Sequence, residues 1–291
     1  MRSFRLAVFA LLALLGTAGV AAAQDAVGQP TPWQLGFQTA ATPVAEQMHQ
    51  FHHLLLVIIS VISLFVLGLL IYVGYRFRAS RNPTPSKTTH NTLVEVVWTV
   101  VPVLILLVIA IPSFRLLYYG DRAQDPEMTL IAKGYQWYWG YEYPDQQIAE
   151  FQSFLVPEEN LAEGQVRLLS TDAPVVLPVD TDIQILVTAG DVLHSWAMPS
   201  MGVKTDAITG RTNETWVRIE EEGIYYGQCS EVCGTGHAFM PIEVHAVSRE
   251  EFDAWVVEQT AGLDLEEPPV LLTMTWEEAM AKRQLALNVQ Q

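Results

Sequence analysis

Twelve consecutive residues, Cys229-Ser230-Glu231-Val232-Cys233-Gly234-Thr235-Gly236-His237-Ala238-Phe239-Met240, hold both cysteines of the chain together with a histidine and a methionine. Thiolate and thioether sulfur select copper(I) and related soft ions, and imidazole suits copper in either oxidation state. A loop of this composition is therefore built for a copper electron-transfer site. A second imidazole has to come from elsewhere, and His194, in Val192-Leu193-His194-Ser195-Trp196, ends an earlier β-rich run. A Cys-x3-Cys pair alone is equally compatible with a disulfide, a common fate of cysteines outside the cytoplasm. His237 and Met240 shift the balance to metal, and methionine argues against structural zinc.

The elements that position these residues are short and β-rich. Runs at 166–169, 175–179, 183–188, 214–219, 224–228 and 242–247 are punctuated by Gly164, Pro174, Gly190, Gly210 and Gly223. Short strands at this spacing predict an antiparallel sandwich or a Greek-key barrel. Ser248 followed by Glu251 forms a capping box, and Phe252, Trp255 and Val256 supply one apolar face to a short helix. Beyond residue 261 only one further helix, around 276–287, is expected in a peripheral tail.

The N-terminal part is of another kind. Residues 1–23 carry Arg2 and Arg5, an apolar run and a small-residue end at Ala21-Ala22-Ala23, the pattern of a cleaved export signal. Residues 54–75 contain no ionisable group except tyrosine, and 22 residues at about 1.5 Å each span a bilayer core. A second span covers about 93–117, with Glu95 near its start and with Pro102 and Pro112, which spanning helices tolerate. The connector holds Arg76, Arg78, Arg81 and Lys87 and no acid, which places it in the cytoplasm and both flanks outside.

Composition agrees with that segregation. The 291 residues are 50% hydrophobic with a mean hydropathy of +0.22, yet 32 acidic against 16 basic residues give a formal charge of -16. After Gly120 there are 29 acidic and 9 basic residues, a formal charge of -20 in the exported part. Binding of nucleic acid is excluded, because phosphate contact requires positive charge.

The chain resembles the subunit 2 family of haem-copper cytochrome c oxidases of the copper A-containing, bacterial aa3-like kind. The resemblance rests on residues 93–98, Gly134-Tyr135-Gln136-Trp137-Tyr138-Trp139, residues 191–199, Lys204-Thr205-Asp206-Ala207 and residues 225–241. It implies a two-helix transmembrane hairpin followed by an all-β cupredoxin-like Greek-key barrel that holds two copper ions bridged by both thiolates. The implied copper ligands are His194, Cys229, Cys233, His237, Met240 and the backbone carbonyl of Glu231. The Glu231 side chain is implied to face a magnesium ion shared with subunit 1, haem being confined to that partner subunit.

The same resemblance implies electron entry at Trp137, the mouth of a proton path at Glu95, and docking acids for cytochrome c at Glu142, Asp145, Asp172 and Asp191. It makes the chain a multi-pass protein of the bacterial inner membrane with its copper domain in the periplasm, assembled with subunit 1 and subunit 3. The division that follows is a signal peptide (1–23), an extracytoplasmic segment (24–53), spans at 54–75 and 93–119 around a cytoplasmic loop (76–92), the copper domain (120–248), and a C-terminal helix and tail (249–291).

Read without the resemblance, the aromatic run Tyr135, Trp137, Tyr138, Trp139, Tyr141 and Tyr143 is strand core or a membrane-interface belt. Most of the acids are a solvated face. Glu95 can snorkel to the headgroups, and His49, His52, His53, His90 and His245 have no ligand spacing and are structural. Three relatives in chemistry fit less well. Quinol oxidase subunit 2 lacks the copper ligands, a fused oxidase would carry Cys-x-x-Cys-His, and nitrous oxide reductase lacks the two-span anchor. A tethered copper carrier or sensor, the alternative of another class, would leave Glu95 and the aromatic run unexplained.

Overall fold

The computed structural model describes residues 28–84, 86–121, 123 and 125–261. The expected signal segment at 1–23 and the expected tail helix around 276–287 lie outside the described residues.

Thr42 caps the first helix, α1 (Pro43–Arg76): its hydroxyl accepts the Ala45 N–H at 3.1 Å, and Pro43 stands where a missing N–H costs nothing. The second helix, α2 (Thr92–Asp121), begins where Asn91 Oδ1 accepts the Val94 N–H at 3.2 Å. At about 1.5 Å per residue the 34 and 30 residues run to about 50 and 45 Å, beyond the roughly 30 Å hydrocarbon core. Both helices are long and apolar enough to cross a membrane. Their side chains through the apolar stretch point outward, such as Val57, Leu64, Leu107 and Ile111. They extend past the apolar runs because polar caps lengthen a helix outside the hydrocarbon.

The rest is a sandwich of two five-stranded sheets. One sheet has the order β3 (Ile148–Ser153), β2 (Tyr138–Tyr143), β1 (Met128–Tyr135), β5 (Ile183–Ala189), β8 (Asn213–Val217). The other has the order β4 (Val175–Pro178), β10 (Pro241–Val247), β9 (Gly223–Cys229), β6 (His194–Met198), β7 (Val203–Ala207). The strict alternation of buried residues along β1 and β5 is what a strand with one face on the core produces. Trp139, Tyr141, Tyr143, Trp196, Tyr225 and Phe252 are the largest side chains of the shared core. This is the architecture expected from the sequence, with one refinement: β1–β5 and β4–β10 are parallel pairs among otherwise antiparallel ones.

The run 166–169 is not a strand. Val166 O accepts the N–H groups of Leu169 and Ser170 and Leu168 sits at φ 65°, so local turn bonds replace a ladder. Helix α3 (Arg249–Thr260) starts as expected, with Ser248 Oγ accepting the Glu251 N–H at 3.2 Å, and buries Phe252 and Val256.

Hydrogen bonds tie the sandwich to the helices. Thr42 Oγ1 donates to Met201 O at 2.8 Å, Ala41 N to Ser200 O at 2.8 Å, and Trp216 Nε1 to Tyr119 O at 2.8 Å. The strands that carry the chemistry-bearing loop are thereby fixed relative to the outer ends of both helices.

Candidate metal centre

Strand β9 ends at Cys229, which pairs with Trp196 of β6, and β10 starts at Pro241 opposite Gln228. The intervening loop is pinned at both ends: Cys229 N donates to Met240 O at 3.2 Å and Ser230 N to Ser195 O at 3.0 Å. Inside it Gly234 takes φ 122°, a left-handed value that side chains resist, and His237–Phe239 closes a 3-10 turn through His237 N to Gly234 O at 3.2 Å. These bonds fold the sulfur and imidazole donors back on one another.

The result is a convergent set. Cys229 Sγ lies 3.9 Å from Cys233 Sγ, 3.9 Å from His194 Nδ1 and 3.3 Å from Glu231 O. Cys233 Sγ lies 3.6 Å from His237 Nδ1 and 3.5 Å from Met240 Sδ. His194, Cys229 and Cys233 are buried, and their ligand atoms all fall within 4.8 Å of one another. His194 opens β6 instead of ending an earlier strand as expected, the preceding strand stopping at Ala189, and it reaches the loop past Gly134 of the opposite sheet, where a Cβ would stand 2.8 Å from the imidazole carbons.

The electrostatics suit a cation. Burial alone would push the Cys229 thiol up, but hydrogen bonds from His194, from the backbone at Glu231 and Ser195, and from His237 bring it down to about 6. Burial and the adjacent Cys229 charge push Cys233 up to about 12. Two thiolates this close repel, so both ionise only with positive charge between them. Two thiolates, a thioether, two imidazoles and a carbonyl fit copper in number and softness.

Asp191 is bound inward. Its Oδ1 meets His194 Nε2 at 2.8 Å and accepts the Val192 N–H at 2.6 Å, while Oδ2 accepts the Gln136 N–H at 2.7 Å. Burial opposes its ionisation, and these bonds outweigh it and hold the carboxyl below its ordinary value. Burial likewise opposes protonation of His194, and bonding to Cys229 and Asp191 outweighs it, so the imidazole is raised. This second-rank contact was not read from the sequence, although an acid three residues before His194 was the available signal.

Trp137 is half-buried on the loop between β1 and β2, with its Nε1 donating to Cys233 O at 3.3 Å. Gln136 Nε2 donates to the same carbonyl at 2.8 Å. The indole lies flat against Gly236, where a Cβ would come within 2.3 Å of the ring. Neither the Gln136 bond nor the need for glycine at 236 was foreseen. Trp139, Tyr141 and Tyr143 are core, as the plain strand reading of the aromatic run requires.

The other candidate residues stand apart. Asp145 Oδ2 accepts the Thr129 N–H at 2.7 Å and Asp172 Oδ1 accepts the Phe154 N–H at 2.7 Å, so one oxygen of each serves the backbone. Glu142 lies partly exposed on β2, and Glu231 partly exposed on the ligand loop. Glu95 Oε1 accepts the Asn91 N–H at 3.2 Å, closing the start of α2 at the far end of the helix pair. His245 is paired with Glu243 at 2.8 Å on β10.

The family model described as cytochrome c oxidase subunit II, periplasmic domain, matches residues 128–247, and that for the subunit II transmembrane domain matches residues 30–116. A probable cytochrome c oxidase subunit 2 of Rickettsia bellii is 50% identical over 228 residues, 78% of this chain and 85% of that protein. Cytochrome c oxidase subunit 2 of Arabidopsis thaliana is 49% identical over 234 residues, 78% of this chain and 90% of that one. Among solved structures, the periplasmic domain of subunit II of cytochrome oxidase from Bradyrhizobium japonicum is 46% identical, covers 47% of this chain and 95% of that chain, and has a TM-score of 0.44. With both of its parts matched and half of its aligned residues shared with such relatives, this chain belongs to the cytochrome c oxidase subunit 2 family and is a membrane subunit of that haem-copper oxidoreductase.

Proposed function

We propose that this chain is the electron-entry subunit of its oxidase: it takes single electrons from cytochrome c and passes them to haem in subunit 1, where oxygen is reduced to water with proton pumping. The observation that carries the proposal is the meeting of Cys229, Cys233, His237, Met240 and the Glu231 carbonyl of one loop with His194 of β6, the cysteines, Met240 and His194 being buried, with sulfur and nitrogen donors 3.5 to 3.9 Å apart. These residues would hold two copper ions, which would supply a one-electron store at this place.

The protein's own groups do the rest. Asp191 fixes the orientation of His194 and keeps its Nδ1 side toward the sulfur atoms. Burial of Cys229, Cys233, Met240 and His194 keeps water from the sulfur atoms and limits reorganisation of their surroundings. Trp137, half-exposed and hydrogen-bonded to the carbonyl of a ligand cysteine, is the entry point from a donor docked outside. Glu142, Asp145, Asp172 and Asp191 belong to an acidic face that attracts a basic donor, and complementary charge of this kind acts on encounter rate and orientation.

The Glu231 side chain, at the loop surface, would supply one carboxylate to a magnesium ion whose other ligands belong to subunit 1. Glu95 would stand at the cytoplasmic mouth of a proton path continuing into subunit 1. These roles place the protein in a bacterial inner membrane with residues 120–248 in the periplasm and subunits 1 and 3 beside it.

The test is to load the full chain in detergent with copper and record paramagnetic resonance and optical spectra. One unpaired electron shared by two equivalent copper nuclei, with purple colour, is expected. Cys229→Ser or Cys233→Ser abolishes it, and Trp137→Ala leaves it intact while slowing oxidation of cytochrome c by the assembled oxidase. A mononuclear copper signal from the unaltered chain would refute the proposal.

A further inference from the structure

At the C-terminal end of α1, about 50 Å along the helix from Pro43 at about 1.5 Å per residue, the chain gathers two cations around one ring and a third on the next. The guanidinium carbon of Arg78 lies 4.8 Å from the Tyr75 ring centroid and that of Arg81 lies 4.6 Å from it. Arg81 Nη2 also donates to the Tyr75 hydroxyl at 3.1 Å, and Arg78 Nε donates to Ser80 Oγ at 3.1 Å. Arg76 stands over Phe77 at 5.4 Å, and Asn82 ties the turn back by donating to Arg76 O at 2.7 Å. The turn 78–82 is closed by Arg81 N and Asn82 N donating to Arg78 O at 2.9 and 3.1 Å. Three guanidinium groups are thus held at the tip of a spanning helix by rings and a tight turn.

Nothing nearby neutralises them. No acidic residue occurs between Glu46 and Glu95, and among the described residues none of Arg76, Arg78 and Arg81 is paired with a carboxylate. The C-terminus of α1 offers only about half a negative charge. Three converged cations therefore keep a surplus of more than two charges at the depth where lipid headgroups lie. Arginine forks match phosphate oxygens two at a time, and stacking on Tyr75 orients two of the forks before any ligand arrives.

We propose that Arg78 and Arg81, organised by Tyr75, and Arg76, held over Phe77, form a binding site for the phosphodiester headgroup of an anionic phospholipid. The occupant is a lipid because the site sits where α1 leaves the apolar layer, so the acyl chains extend along the exposed apolar side chains of the helix, Tyr72 and Val73 among them. The site requires neither copper nor the electron-entry role, and it holds whichever leaflet the loop faces.

The full chain, purified and stripped of lipid, is equilibrated with mixed micelles containing phosphatidylglycerol or phosphatidylcholine, and the phospholipid retained per chain is measured. Retention of phosphatidylglycerol over phosphatidylcholine is expected, and each basic residue near an anionic lipid surface is worth about a fivefold preference, so R76Q/R78Q/R81Q should weaken it about a hundredfold. The charge-conserving R76K/R78K/R81K chain should lose a large part of the preference, because lysine lacks the fork, and Tyr75→Leu should lose part with every charge kept. Equal retention by the lysine and arginine chains would reduce the effect to diffuse charge and overturn the site. Loss of the lipid to millimolar inorganic phosphate would show a free-anion site and overturn it as well, and so would equal retention of the two lipids. Unchanged thermal unfolding of the sandwich, tied to the opposite end of α1, shows that each variant is folded.

Discussion

Gly236→Ala tests the contact through which electron entry is proposed to pass. Gly236 has φ -90° and ψ 8°, values open to alanine, so the substitution carries no backbone penalty of the left-handed kind. Its cost is steric: the added Cβ would stand 2.3 Å from Trp137 Cδ2, 2.4 Å from Cγ and 2.8 Å from Cε3. Ordinary carbon contact begins near 3.5 Å, so the indole must retreat by about 1 Å. The Nε1 to Cys233 O bond, already 3.3 Å, then opens beyond hydrogen-bond range. Overpacking of this size costs about 1–3 kcal/mol of stability, and a 1 Å misplacement of a reacting group costs up to about a hundredfold in rate.

The assay is stopped-flow reduction of the assembled oxidase by cytochrome c, with the copper spectrum recorded on the same samples. Electron entry slower by about tenfold to a hundredfold with the spectrum unchanged is expected. In a Trp137→Ala background the second substitution should add almost nothing, because its effect passes through the ring. Full-rate entry in Gly236→Ala, or an additive loss in the double variant, would refute the reasoning.

Four further outcomes follow from the same geometry. Asp191→Asn removes the carboxylate that orients His194 and should lower copper affinity about tenfold to a hundredfold in a chelator competition; unchanged affinity would make Asp191 a docking acid only. In the metal-free chain at pH 8, ultraviolet thiolate absorbance should count one thiolate, since hydrogen bonds lower Cys229 and burial with the Cys229 charge raises Cys233; a count of two or none refutes this. Electron uptake from a basic cytochrome c should slow as ionic strength rises above physiological values, and a rate indifferent to salt would leave the acidic face without a docking role. Ser248→Ala should cost about 1 kcal/mol in chemical denaturation by removing the cap on the Glu251 N–H, and a loss within error would show that packing of Phe252 and Val256 carries helix α3 by itself.

Much of this protein was legible in one dimension, because membrane spans, strand alternation and soft-metal donors are local in sequence. Residues 54–75 declare a spanning helix by length and lack of charge alone, and Ser248 with Glu251 declares a helix start. The run 166–169 misled because four β-formers in a row carry no information about the turn bonds from Val166 O that capture them. Strands β3 and β7 were passed over because their largely polar residues acquire a buried face only when two sheets close on each other, whereas the aromatic run 135–143 already marked β2.

The sequence by itself determined which atoms are available to a metal: two thiols, a thioether and an imidazole on one loop, where chain connectivity keeps them near whatever the fold does. Only the tertiary structure decided which atoms meet. His194 reaches the sulfur atoms because β6 lies beside β9 and because Gly134 of the opposite sheet leaves room. Asp191, at the surface, gives its carboxylate to His194 and the Gln136 N–H, and Trp137 rests on Gly236 with its nitrogen on Cys233. Such contacts join residues up to about a hundred positions apart, and close packing, which has no signature along the chain, sets their distances.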